Sequence, residues 1–381
     1  MTPLLLHQVH AEAGAAFAAV NGMEVVRDYG DWSAEHAALT QTAAVLDLSC
    51  RGRVVLLGAD RAPLLHGQCT NDILGLPPGR GCYALFASPK GRIEADAHIY
   101  NLGEELLLDL EPGLSGPVSA RLEKFILAQD VQPVDAAPYY GLLSVQGPRS
   151  PEAVRALSPG SDVPAADHAL LTLEDATLGR LYVMQQVRAG TAGADVFAPA
   201  ETLAAVADRL LAAVRAAGGG PAGWTALETA RVEAGMPRFS ADFDAANLPA
   251  EAGLDARAVS FRKGCYSGQE VINRLRTFGR VAKALRGLRL PSGRPLPARG
   301  DRLFREGRAV GCITSVADSP RHGPLALGYV RREDNAPGTR LALAADGPAE
   351  VEVAPLPFAT AAFPAVDGLG EHATTTPGRG C

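Results

Sequence analysis

Lys263-Gly264-Cys265-Tyr266-Ser267-Gly268-Gln269-Glu270 is the stretch on which the reading of the fold turns, lying between Val259-Ser260-Phe261-Arg262 and Val271-Ile272-Asn273-Arg274. Two glycines bracket a Cys-Tyr pair, and Gln-Glu then opens an apolar-periodic run. Locally this is a tight glycine-bearing loop entering a helix, whose first backbone N–H groups have no intrahelical acceptor. Two readings of Cys265 stay open. A helix start and a neighbouring Lys263 lower a thiol pKa and favour a thiolate, whereas single cysteines are commonly inert packing residues. No His stands at a spacing that supports a cysteine-protease-like dyad.

Upstream of this segment, strands and helices alternate. Val54-Val55-Leu56-Leu57 is a β-branched strand, followed by a Gly58-Ala59-Asp60 turn and helix cap. Residues 83–88 and 92–100 alternate like a hairpin around Pro89-Lys90-Gly91, and residues 105–110 supply a third strand before a helix over 118–127. A second round follows: strand 142–145, helix 150–157, strands 181–187 and 195–197, then helices over 200–217 and 225–234. The order predicts an α+β module of split βαβ type used twice. Beyond residue 282 short strands separated by Gly/Pro turns predict a small β-barrel. The expected division is 1–140 and 141–281 for the two α+β units, 282–352 for the barrel and 353–381 for a flexible Ala/Pro/Gly/Thr-rich tail. A short amphipathic helix is expected over 11–20.

The chain has 381 residues, 47% apolar and 20% charged, with a formal net charge of −6. That balance is globular and argues against a general basic field coating nucleic acid. A local basic run from Arg262 to Arg286 keeps a tRNA contact in view, but its two aromatic residues, Tyr266 and Phe278, do not interleave it in the manner of a stacking platform. Its six cysteines are scattered without CxxC or Cys/His spacing, which excludes a disulfide scaffold, a closed zinc site and a resident iron–sulfur ligand set. No metal site is expected. The N-terminus lacks a basic n-region, and no apolar run approaches the ~20 residues that span a bilayer. The expectation is a cytoplasmic monomer away from membranes.

KGCYSGQE, preceded by Asn247-Leu248-Pro249-Ala250-Glu251, resembles the signature of the YgfZ-type folate-binding proteins, relatives of the glycine-cleavage T-protein. Further segments resemble that superfamily over about residues 25–345: Thr70-Asn71-Asp72 with Tyr83, Gly91 through Asp96, Gln146-Gly147-Pro148, Arg188 with Gly193 through Phe197, Arg231 through Pro237, and Gly311 through Ser315. The resemblance implies two ferredoxin-like units and a C-terminal barrel around a cavity for tetrahydrofolate or a related reduced folate. It implies Asp96, Asp195, Arg231 and Tyr83 as folate contacts, with Asp195 accepting from the amino-pyrimidinone edge of the pterin, and Asp96 as the general base of any one-carbon chemistry. Lys263, Gly264, Cys265, Tyr266, Gly268, Gln269 and Glu270 form the signature, expected near that cavity, with Cys265 a candidate catalytic residue beside Asp96 for a redox or cluster-related role. The implied function is a folate-binding accessory protein for iron–sulfur cluster assembly or repair, partnered by scaffold or client proteins. The alternative is an aminomethyltransferase or demethylase that moves a one-carbon unit onto tetrahydrofolate.

Overall fold

Gly52–Leu57 is a strand because Val54, Val55 and Leu56 favour the pleat and bury against neighbours on both sides. The computed structural model describes residues 1–157 and 163–358. In it this strand lies in a five-stranded antiparallel sheet of spatial order Arg80–Ala87, Ile93–Asn101, Leu106–Leu110, Gly52–Leu57, Gln132–Asp135. Alternation sorts its two faces. Ala84, Phe86, Ile99 and Leu108 turn towards the helices Arg61–Gln68 and Ser115–Glu123 and pack with Leu65, Val118 and Leu122. Tyr83 and Leu85 turn the other way. Tyr83 pairs with His98 and Leu85 with Asp96, so Tyr83, Asp96 and His98 share the face that looks inward.

The same succession of strand, helix, three strands, helix and strand then recurs. Tyr140–Gln146, the helix Ser150–Val154, the meander Leu170–Asp175, Gly179–Gln185 and Gly193–Pro199, the helix Leu203–Ala216 and the short strand Gly220–Pro221 build the second sheet. The class is α+β, as the pattern predicts. One strand crosses the expected division at residue 140: Ala44–Asp47 inserts between Tyr140–Gln146 and Gly220–Pro221, so the second sheet takes in chain from the N-terminal region. Lys283–Arg289, Arg302–Arg305, Arg308–Ser319, Gly323–Arg331, Arg340–Leu341 and Val351–Ala354 form a third sheet. Reciprocal backbone hydrogen bonds of 2.8 Å between Phe304 and Ala342 close it into a barrel. The helix Trp224–Glu233 sits at the junction, packed on the helix Trp32–Gln41 and on the barrel strand Arg308–Ser319.

Two expectations are corrected here. The helix over 11–20 is instead a short helix, His7–Glu12, followed by a hairpin of Ala16–Val20 with Met23–Asp28. Asn21 and Gly22 at its tip have φ of 49° and 81°, and Asn-Gly is a strong two-residue hairpin signal that overrides a weak helical period. The tail does not begin at 353. Val351 and Val353 are fully buried in the barrel core, Phe358 is buried beside them, and the Phe358 N–H donates to the Glu233 carbonyl at 3.0 Å. The tail residues 359–381 lie outside the described residues, and no helix among the described residues is long and apolar enough to cross a membrane.

Candidate active site

The inward face of the first sheet, the segment Gln186–Arg188 and the helix Trp224–Glu233 line an open cleft whose inner volume is about 90 Å³. Tyr83, Asp96 and His98 line one wall, and Trp224, Leu227 and Leu254 supply apolar surface on others. Tyr83 Oη donates to Asp96 Oδ2 at 2.7 Å, while Asp96 Oδ1 is buried with no hydrogen-bond partner. Burial, then the nearby charge of Glu111, pushes the Asp96 carboxyl up from the usual 3.8 to about 7, against the opposing Tyr83 hydrogen bond and the Arg51 charge. A carboxyl poised there exchanges protons at neutral pH and suits general acid–base work. His98 stacks on Tyr83 with ring centroids 4.8 Å apart.

Beneath the cleft runs an alternating ladder of charge that joins all three parts of the fold. Asp195 pairs with Arg188, Arg188 with Asp109 at 2.6 Å, and Asp109 with Arg51 at 2.7 Å. Arg51 pairs with Glu111, Glu111 with Arg238 at 3.2 Å, and Arg238 with Glu228 at 3.0 Å. Glu228 pairs with Arg231 at 2.8 Å and Arg231 with Asp242 at 2.6 Å. Thr314 and Ser315 of the barrel donate to Asp242 at 2.6 and 2.7 Å and complete the chain. Burial pushes Asp109 up, but the guanidinium groups of Arg51 and Arg188 outweigh it and hold that carboxyl below its usual range. Gln146 fixes the segment above: its side-chain N–H groups donate to Ser144 Oγ and the Gln186 carbonyl, and its Oε1 accepts from the Arg188 N–H. Only glycine follows it comfortably, because a Cβ on Gly147 (φ 130°) would sit 2.5 Å from the Thr42 carbonyl oxygen.

Of the expected folate contacts, Asp96 and Tyr83 lie in the cleft wall. Arg231 also lines it, but all five of its N–H donors are taken by Glu228, Asp242, Ser315 and the Met236 carbonyl. It therefore holds the helix, the 236–242 loop and the barrel together and has no donor left for a ligand. Asp195 is 1% exposed, accepts from Arg188 through both oxygens and does not line the cleft. An arginine from the loop that leads into its own strand has taken the contact expected of the pterin edge.

The signature lies elsewhere. The Lys263 ammonium donates to the carbonyls of His66, Cys69 and Asn71, capping the C-terminal end of the helix Arg61–Gln68. Tyr266 lies beneath it, 5.0 Å from the ammonium, and packs with Ala87, Val259 and Ile272. Gly268, at φ 84°, meets the hairpin tip so closely that a Cβ would sit 2.4 Å from the Ser88 carbonyl oxygen. Gln269 and Glu270 open the helix Gln269–Phe278. Gly264 and Cys265 are exposed, and none of these residues lines the cleft. The expectation that Cys265 stands near the cavity is thus corrected: the loop packs on the hairpin's turn rather than on its inward face. Sequence reasoning missed His98, Glu111, Trp224 and Arg257. His98 was within reach of it, being two residues from Asp96 on one strand and so on the same face.

Residues 6–263 match the family described as "GCVT N-terminal domain", and residues 283–359 match "Glycine cleavage T-protein C-terminal barrel domain". A curated protein named aminomethyltransferase from Streptomyces coelicolor is 31% identical over 339 residues, 88% of this chain and 90% of the relative. One of the same name from Saccharopolyspora erythraea is 28% identical over 357 residues, covering 93% and 96%. The crystal structure of glycine cleavage system aminomethyltransferase T from Bartonella henselae superposes with a TM-score of 0.83 at 24% identity, covering 94% of this chain and 98% of that one, and confirms the fold. These relatives overturn the expected accessory role in iron–sulfur cluster assembly: over most of the chain they bear an enzyme's name, and they lend no support to iron–sulfur scaffold or client partners.

Proposed function

This chain belongs to the glycine cleavage T-protein family, and from that premise we propose that it is a folate-dependent aminomethyltransferase, passing a one-carbon unit from a sulfur-bound aminomethyl group to tetrahydrofolate. The observation that carries the reading is Asp96, a buried carboxyl raised to about 7 with one oxygen unpartnered in the cleft wall. The chemistry of the lining suits a reduced folate. Trp224, Leu227 and Leu254 offer apolar walls for rings, Asp96 Oδ1 awaits a donor, and Arg257 is a cation with no side-chain partner among the described residues. Tetrahydrofolate supplies two secondary-amine nitrogens that take up the carbon, one displacing the sulfur, which leaves as a thiol, and the other displacing the amino group, which leaves as ammonia. Asp96 exchanges protons at the transfer centre and gives one to the departing group, while Tyr83 holds its other oxygen in place. Arg257 meets the carboxylate end of the folate.

The resemblance of KGCYSGQE to the YgfZ-type branch belongs, in this reading, to structure: the segment fixes the hairpin that carries Asp96, and Cys265 takes no part in the transfer. The test is direct. Purified protein receives tetrahydrofolate and an aminomethylated lipoyl carrier, and methylene-folate is measured through a coupled dehydrogenase. Catalytic turnover that collapses in Asp96→Asn is expected. Wild type no faster than the uncatalysed mixture would remove the proposal.

A further inference from the structure

His98 is half-buried on the cleft wall, and its Nδ1 lies 2.9 Å from His168 Nε2. His168 is itself 5% exposed, and its Nδ1 lies 3.0 Å from the carboxylate of Asp167, whose side chain is 70% exposed. Three groups therefore form a line from solvent to the cleft. Asp167 can only accept when ionised, so His168 carries its proton on Nδ1 and presents a lone pair at Nε2. His98 must then carry its proton on Nδ1 and turn a bare Nε2 away from His168. The far side agrees: the Gln186 amide nitrogen lies 3.5 Å from His98 Nε2, and its orientation is set by Tyr100 Oη donating to Gln186 Oε1 at 3.0 Å. A donor facing Nε2 requires that nitrogen to accept.

We infer that Asp167, His168 and His98 form a relay in which His98 Nε2 is a second proton acceptor in the cleft, beside Asp96, with Asp167 and His168 as positioning residues that set its tautomer. The charge logic supports it. Burial and the surrounding cations keep the His98 imidazole well below its ordinary pKa, so it stands neutral at pH 7 and can take a proton at Nε2 only as its Nδ1 proton passes on to His168. Its stack on Tyr83, which donates to Asp96, puts the two acceptors on one inward face of adjoining strands. In the transfer, the C–S bond breaks as a C–N bond forms, and a proton leaves the attacking nitrogen. With two acceptors, one carboxyl need not both take that proton and hold another ready for the departing group. His98 takes it at Nε2, passes its Nδ1 proton to His168 Nε2, and His168 is stabilised as the cation by Asp167. Reversal of these shifts resets the pair.

This role rests on the reading of the cleft as a transfer site, but its tautomers do not, and the experiment separates the two. Protein labelled with 15N-histidine is examined by two-bond 1H–15N correlation at pH 7. Expected are Nδ1–H with bare Nε2 for both rings, and loss of the fixed His98 tautomer in His168→Asn, a side chain that tolerates the φ of 55° at that position. An Nε2–H form of His98 in the wild type, or an unchanged His98 in His168→Asn, overturns the relay whatever the enzyme does. In the transfer assay, His98→Gln is expected to lower kcat about 100-fold with the folate KM within about twofold. His168→Asn is expected to lower kcat about 10-fold at an unchanged melting temperature. A kcat unaffected in both, in a protein that turns over, also overturns it. Correct tautomers in a protein without turnover reject the transferase reading and leave the relay standing as a proton path to the cleft.

Discussion

Asp96→Asn should make the protein less active and more stable, and the size of the second effect follows from the cleft. In the unfolded chain the carboxyl titrates near 3.8, and in the folded protein it titrates near 7. A raised acid is stabilising when protonated. Its contribution is fully present below pH 3.8 and is lost as pH rises, the loss being complete just above 7. The difference of about three units corresponds to about 4 kcal/mol, an upper figure since local relaxation and water entry reduce it. Asparagine mimics the protonated carboxyl: its oxygen can accept from Tyr83, and its NH2 replaces the unpartnered oxygen. Its advantage over wild type should be near zero at pH 4, about 2 kcal/mol at pH 5 and up to about 4 kcal/mol at pH 8. Urea unfolding at those pH values measures it, and the transfer assay should show a loss of about 100-fold or more. A variant whose stability relative to wild type is flat between pH 5 and 8, or falls, refutes the reasoning.

Three further outcomes test other parts of the structure. Arg257→Gln should weaken tetrahydrofolate binding roughly 10-fold, about 1.4 kcal/mol, and flatten the salt dependence of binding seen by calorimetry. An unchanged dissociation constant would place the anionic end of the ligand elsewhere. Lys263→Met should cost about 2–3 kcal/mol in urea unfolding, because the buried Cys69 carbonyl and the part-buried carbonyls of His66 and Asn71 lose their donor; a loss under about 0.5 kcal/mol would deny the clamp. Asp242→Asn should destabilise by about 3 kcal/mol or more, since Arg231 keeps its charge at 4% exposure and loses one of its two carboxylates. Limited proteolysis should then cut first between the helix Trp224–Glu233 and the barrel, and protection equal to wild type would count against Asp242 as the link.

The architecture was legible because its signals are local and repeated. Apolar runs such as Val54–Leu57, turns such as Pro89-Lys90-Gly91 and the change to short strands after residue 282 each report on themselves. Ala44–Asp47 escaped notice because its partner strand lies about a hundred residues downstream, and nothing in four apolar residues names that partner. The site was harder for the same reason. Asp96 and Tyr83 sit on one hairpin, so motif reading could place them together. Asp195 and Arg231 are polar residues whose use depends on which neighbours reach them first, and Arg188, Glu228 and Asp242 did. KGCYSGQE misled by its chemistry. A buried ammonium capping carbonyls and a glycine at positive φ are demands of packing, yet a lysine, a cysteine and a glutamate in one loop look like a reaction centre.

The capture of Asp195 by Arg188 is more than a lost ligand contact. Arg51 and Arg188 both line the cleft, and guanidinium groups left unpaired there would pull an adjoining carboxyl down, as these two hold their partner Asp109 below its usual range. Asp96 rises instead, because burial and Glu111 outweigh what reaches it from Arg51. That balance requires the cations to be spent on other partners: Arg188 on Asp109 and Asp195, Arg51 on Asp109 and Glu111. Removing Asp195 would leave Arg188 half-paired beside the cleft and shift the local charge by one unit towards positive. The same change would lower Asp96 and drive His98 still further from protonation, weakening both as proton acceptors. Asp195 thus influences the proton chemistry of a cleft that it does not touch, by keeping a neighbouring cation occupied.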